Sequence, residues 1–104
     1  MKHHNIAVII TNSKSSIPIR NNVDGTRVSG NWKINLKNLP NLLDGGRFSL
    51  HTSKSAVSHD QGQIIGVRVV HDQCLGRRVE ITYQPDLHHV DGASLAWGQE
   101  KAYW

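Results

Sequence analysis

Apolar residues in this chain come in short runs separated by polar and glycine-rich segments, and the period of each run predicts its element. Ile6-Ala7-Val8-Ile9-Ile10 is a β-branched run bounded by polar residues, which predicts a central strand covered on both faces. It stops in Thr11-Asn12-Ser13-Lys14-Ser15-Ser16, a cluster whose side chains hydrogen-bond nearby backbone and so favour a loop. Pro18 keeps its neighbours extended, with Ile17 and Ile19 covering an edge. Asn21 to Gly25 is a turn signal, and Thr26, Arg27 and Val28 form a short strand after it. Between Trp32 and Leu43 the apolar positions Ile34, Leu36, Leu39, Leu42 and Leu43 drift from alternation toward helical spacing, and Pro40 suits a first helical turn. This is the sole helix candidate.

Asp44-Gly45-Gly46 predicts a tight turn, after which Phe48 and Leu50 alternate with Arg47, Ser49 and His51 as in a half-buried strand. Thr52 to Gln61 reads as loop. Ile64 to Val70 is apolar on both faces except at Arg68, which predicts a strand at the centre of the sheet, and Gly66 marks a bend or a close approach. Val79, Ile81 and Tyr83 alternate cleanly in the next strand, Pro85 to Gly92 is a turn region, and Leu95-Ala96-Trp97 and Ala102-Tyr103-Trp104 are expected as short closing strands. Together these elements predict a mostly β (α+β) fold. The expected form is a single domain over residues 1–104, a small mixed β-barrel with one or two short helical turns, in which closure removes exposed strand edges. No repeat of solenoid length is present.

Two polar loops echo each other, Thr11-Asn12-Ser13-Lys14-Ser15 and His51-Thr52-Ser53-Lys54-Ser55, each directly after a strand. Loops leaving the same rim of a barrel converge, which is how a binding mouth is commonly built. Their hydroxyls, amides and lysines suit phosphate or polar base edges, but neither has the glycine spacing or following helix of a P-loop. Gly30 and Asn31 lead to Trp32, which is either an aromatic face for stacking a base or a packed core or rim tryptophan. The candidate ligand-binding set is therefore Asn12, Ser13, Lys14, Asn31, Trp32, Ser53 and Lys54, whereas Trp97 and Trp104 lean toward packing.

Twelve Lys and Arg against eight Asp and Glu give a formal charge of +4, which points toward an anionic partner. The basic residues are scattered, with Arg77-Arg78 the sole adjacent pair, so neither a basic tail nor a recognition helix is present. The seven histidines show no HxH, HExxH or CxxC spacing, and His88 and His89 as strand neighbours would face opposite ways, so neither a metal nor a cofactor is expected. His59-Asp60 and His71-Asp72 each offer a general base, without a partnered nucleophile. Cys74 is expected as a small buried thiol. One cysteine forms no intramolecular disulfide, no secretory signal precedes Ile6, and the first apolar run is too short to span a bilayer, so a cytoplasmic, membrane-free setting is expected.

The order of segments over residues 6–72 resembles the PUA-like superfamily, nearest to its EVE and YTH branches. The resemblance rests on the opening strand with its Ser-Lys loop, on Ser29-Gly30-Asn31-Trp32, and on Asn35-Leu36-Lys37-Asn38-Leu39. It continues through Gly46 to Ser53 and through Gln63-Ile64-Ile65-Gly66-Val67-Arg68-Val69-Val70. It implies a barrel whose mouth reads a modified or flipped base in DNA or RNA, with Asn12, Ser13, Trp32 and Ser53 at pocket positions and Trp97 as a further wall of an aromatic cage. The expected function is accordingly a nucleic-acid-binding module. Two alternatives stand beside it. One is a small ASCH-like amidohydrolase acting on a modified nucleoside through Lys14 or Lys54, and the other is a protein-interaction or inhibitor module of a phage or mobile element.

Overall fold

The computed structural model of the chain describes residues 4–9, 19–73, 76–98 and 101–104. The predicted β-rich fold is observed: seven strands form one mixed sheet, with one short α-helix and two 3₁₀ turns among the described residues. The strands are β1 (Ile6–Ile9), β2 (Arg20–Asn21), β3 (Arg27–Trp32), β4 (Arg47–His51), β5 (Asp60–Asp72), β6 (Gly76–Pro85) and β7 (Lys101–Tyr103). Their order is β2-β3-β6-β5-β4-β1-β7, and among the described residues no ladder joins the end strands β2 and β7. No helix of the described residues is long and apolar enough to cross a membrane.

Register alternation assigns the two faces of the sheet. Ile6, Val8, Phe48, Leu50, Ile64, Val79, Ile81 and Tyr83 share the inner face and make the core, with Phe48 and Tyr83 ring centroids 5.0 Å apart. The predicted helix appears in two parts, a 3₁₀ turn over Leu36–Asn38 and α1 over Leu39–Leu43, with Pro40 in the first turn of α1, where its missing N–H is not needed. Asn35 caps the 3₁₀ turn through its side-chain oxygen, which accepts from the Lys37 amide at 3.0 Å. Leu42 is fully buried, and Ile34 enters the same cluster, so this segment seals one end of the core.

β1 runs parallel to β4 with Ile9 opposite His51, whereas every other described pairing of named strands is antiparallel. Both strands therefore end at the same end of the sheet; the first Ser-Lys loop itself lies outside the described residues. On the outer face at that end, Ser49, His51, Ser58 and Gln61 are buried beneath the segment after β6. The Ser58 amide donates to Val90 O at 2.8 Å and the Val90 amide donates to Ser58 Oγ at 2.8 Å, Gly92 donates to Ala56 O at 3.0 Å, and Gln61 Nε2 donates to Asp86 O.

Three expectations change. β5 begins at Asp60 rather than Ile64, because Asp60 to Gln63 pair with β4. It holds the central place in the sheet order, yet Ile65 is 52% and Val69 41% exposed, so its apolar run is not covered on both faces. Leu95-Ala96-Trp97 is not a strand: a 3₁₀ turn over Gly92–Ser94 precedes it, and Trp97 makes only an isolated bridge to Ala102.

Candidate nucleic-acid interface

Trp32 owes its direction to a β-bulge. In the pairing of β3 with β6, Ser29 lies opposite Ile81 and Trp32 opposite Val79, so Gly30 and Asn31 together oppose the single residue Glu80. Without the extra residue Trp32 would face outward; with it, Ser29 and Trp32 share the inner face. Gly30 permits the bulge because a Cβ there would sit 2.8 Å from Glu80 Cγ and 3.2 Å from its Cα. The indole Nε1 donates to Ser29 Oγ at 3.0 Å, and Ser29 is fully buried. The ring is half-buried against the core, so its N–H is committed while part of its surface stays open. Asn31 lies within the bulge.

The next inner-face positions along the sheet turn from apolar to polar. Val79 pairs with Val69, and one step further out Arg77 pairs with His71, both exposed. Among the described residues β3 gives β6 no partner before Val79, so the end of the β5–β6 ribbon projects past Trp32. Its inner face thus offers an aromatic ring, a 41% exposed valine, an arginine and a histidine in sequence. On the outer face, Arg78 pairs with Val70, and Arg68 bridges to Glu80 at 2.8 Å. Among the described ion pairs none involves Arg77 or Arg78.

Ser53 and Lys54 are exposed in the turn that follows His51, at the end of the ribbon where β5 begins. Trp32 lies beside the other end, so the register separates these two parts of the predicted site. Asn12, Ser13, Lys14 and Cys74 lie outside the described residues. Trp97 packs edge-on against His51 with ring centroids 5.3 Å apart, and its Nε1 donates to Gly92 O at 2.8 Å. It therefore walls the His51 end and not the Trp32 end.

His51 has the hydrogen-bonding of a catalytic histidine without the access. Ala56 O can only accept, so Nδ1 carries the proton at 3.0 Å, and Nε2 accepts from Ser49 Oγ at 2.9 Å. Both side chains are fully buried on the outer face of β4, where no substrate reaches Ser49. The pair satisfies its own polar atoms beneath the covering segment.

The polar group that sequence reading missed is Asp60 with Arg27 and Tyr83. Asp60 Oδ1 accepts from Arg27 Nη1 at 2.8 Å, and Oδ2 accepts from the Tyr83 hydroxyl. Burial first, then the hydrogen bond to Asp60, push the Tyr83 phenol far above its ordinary value, while that carboxylate raises the Arg27 guanidinium. Asp60 is thereby committed, and His59 beside it is exposed, so the two do not work as a pair. At the other carboxylate of this region, Arg47 holds Asp86 with two bonds of 2.8 and 2.9 Å and draws its carboxyl below the usual range. His88 and His89 are exposed, and no group of three or more metal-ligating side chains gathers among the described residues.

Comparison with protein-family models, with curated proteins and with solved structures finds no match to this chain.

Proposed function

We propose that the chain is a nucleic-acid-binding module in which Trp32 stacks on an unpaired base while Arg77 and His71 accompany the phosphate backbone. The observation that carries this reading is the bulge at Gly30 and Asn31, which turns a half-buried tryptophan onto the face it shares with Arg77 and His71. The indole N–H is held by Ser29, so the ring offers its π-face rather than a hydrogen bond. A π-face accepts any base, and stacking on an aromatic side chain contributes roughly 1–3 kcal/mol. Such contact needs a base that is out of its stack, in a single strand or flipped from a duplex, and a modified base is one such substrate. The formal charge of +4 favours the polyanion over a neutral ligand.

Fluorescence anisotropy with labelled DNA and RNA single strands, with and without methylated bases and at two salt concentrations, tests the reading. Binding is expected to weaken as salt rises and to fall about thirtyfold in Trp32→Ala, the middle of the stacking range. Tight binding that ignores both salt and Trp32, or no binding to any oligonucleotide, would overturn it.

A further inference from the structure

At the opposite end of β3 from Trp32, Arg27 is fixed in place without being used up. Asn21 Oδ1 accepts from its Nε at 3.0 Å and Asp60 Oδ1 from its Nη1 at 2.8 Å. Asn21 lies directly opposite Arg27 in the β2–β3 pairing, and Asp60 is held from behind by the Tyr83 hydroxyl. Of the five N–H bonds of a guanidinium, these two contacts take one each, which leaves three. The arginine side chain is 39% exposed whereas that of Asp60 is only 10% exposed, so the unspent donors belong to the open side of the pair. Arg47 is the contrast: Asp86 and His88 O take three of its N–H bonds, and only 28% of its side chain is exposed.

We infer that Arg27 is a receptor for a phosphate group. A guanidinium presents parallel N–H bonds that match two oxygens of one phosphate, and a fork already immobilised on both flanks loses less freedom when it binds. Tyr83 shares the charge of Asp60, so the carboxylate orients Arg27 while its second oxygen faces the phenol. Asn21 is a positioning residue that sets the plane of the guanidinium through Nε. This receptor goes beyond the Trp32 site and does not depend on it, since the two lie at opposite ends of β3.

Titration of the full chain with inorganic phosphate at constant ionic strength, reading the Arg27 Nε–Hε resonance, tests the inference. A saturable shift is expected, weakened several-fold in Asn21→Ala. The affinity read from backbone amides near Arg27 is expected to fall about tenfold in Arg27→Lys, which keeps the charge and loses the fork. A resonance unmoved by inorganic phosphate and by octathymidylate alike, or equal affinity in Arg27→Lys, would overturn it. An octathymidylate arm separates phosphodiester from free phosphate as the source, since a shift in either arm supports the receptor and a shift in neither refutes it. If octathymidylate binds through Trp32 while Arg27 stays silent, the receptor fails and the nucleic-acid reading stands. If phosphate moves Arg27 and no oligonucleotide binds, the reverse holds.

Discussion

The indole N–H of Trp32 is bonded to the hydroxyl of Ser29, three positions earlier on the same strand and on the same face. Residues three apart on a regular strand face opposite ways, so this bond exists only because the bulge at Gly30 and Asn31 resets the alternation. The bulge thus fixes two things at once, the partner of the indole N–H and the part of the ring that stays open.

Trp32→Phe keeps a ring but leaves the buried Ser29 hydroxyl without its donor, and is expected to cost about 1–2 kcal/mol in urea unfolding. Ser29→Ala strands an indole N–H that water partly reaches, and is expected to cost less, about 0.5–1 kcal/mol. The double variant is expected to lose less than the two singles added together by about 0.5 kcal/mol or more. Strict additivity would show that the bond contributes nothing to folding.

The strands with clean alternation were legible in the sequence, and the places where alternation breaks were not. Phe48 and Leu50, and Val79, Ile81 and Tyr83, are buried on the face their spacing predicts, but β4 is not the half-buried strand expected, because the segment after β6 covers Ser49 and His51 on its other face. The run from Ile64 to Val70 was misleading because the extra residue, Ile65, shifts the phase: Ile64 pairs with Tyr83 and Gly66 with Thr82. The run therefore holds residues of both faces, and Ile65 points to solvent. The same effect hides the direction of Trp32. Arg27 and Asp60 stand far apart in sequence, and only the register of β3 on β6 and of β6 on β5 brings them together. The parallel β1–β4 pairing directs both strand ends to one end of the sheet while Trp32 belongs to the other, a separation that no spacing along the chain reveals.

Two glycines of β5 make opposite demands. A Cβ on Gly62 would lie 2.0 Å from Gln84 O and 2.6 Å from its carbonyl carbon, backbone atoms that cannot rotate away. On Gly66 the nearest heavy atom would be Thr82 Cβ at 4.0 Å, an ordinary contact. Gly62→Ala is expected to destabilise the fold by about 3 kcal/mol through overpacking, and Gly66→Ala to stay within about 0.5 kcal/mol. Thermal unfolding of the two variants side by side checks this, and equal losses would contradict the close packing of β5 on β6 at Gly62.

The Arg47–Asp86 pair ties β4 to the segment after β6, which covers the buried Ser49 and His51. The hydrogen bonds from Arg47 lower the Asp86 carboxyl from its ordinary 3.8. A depressed carboxyl contributes stability that is present above the unfolded value and is lost as pH falls through the folded one, so the loss begins below about pH 4. Unfolding free energies at pH 6 and pH 3 are expected to differ less in Asp86→Asn than in the unaltered chain. An unchanged difference would show that the pair does not steer acid stability.

At alkaline pH the relevant group is Tyr83. Its phenol is buried, its hydroxyl donates to Asp60, and a phenolate there would face that carboxylate, so both burial and hydrogen bonding hold it protonated. Tyr103 is raised as well, by burial. For a group whose folded value lies above the unfolded one, stability is complete below the unfolded value, near 10 for tyrosine, and is lost as pH rises toward the folded value. Absorbance at the phenolate band is therefore expected to stay low in the native protein through about pH 10, the ordinary tyrosine value, and to rise together with unfolding above it. Tyr83→Phe removes the donor to a buried carboxylate and is expected to cost about 1–3 kcal/mol at neutral pH. The same variant is expected to flatten the decline of stability above pH 10. Phenolate from both tyrosines appearing near pH 10 in a protein that remains folded would refute the buried Tyr83–Asp60 bond.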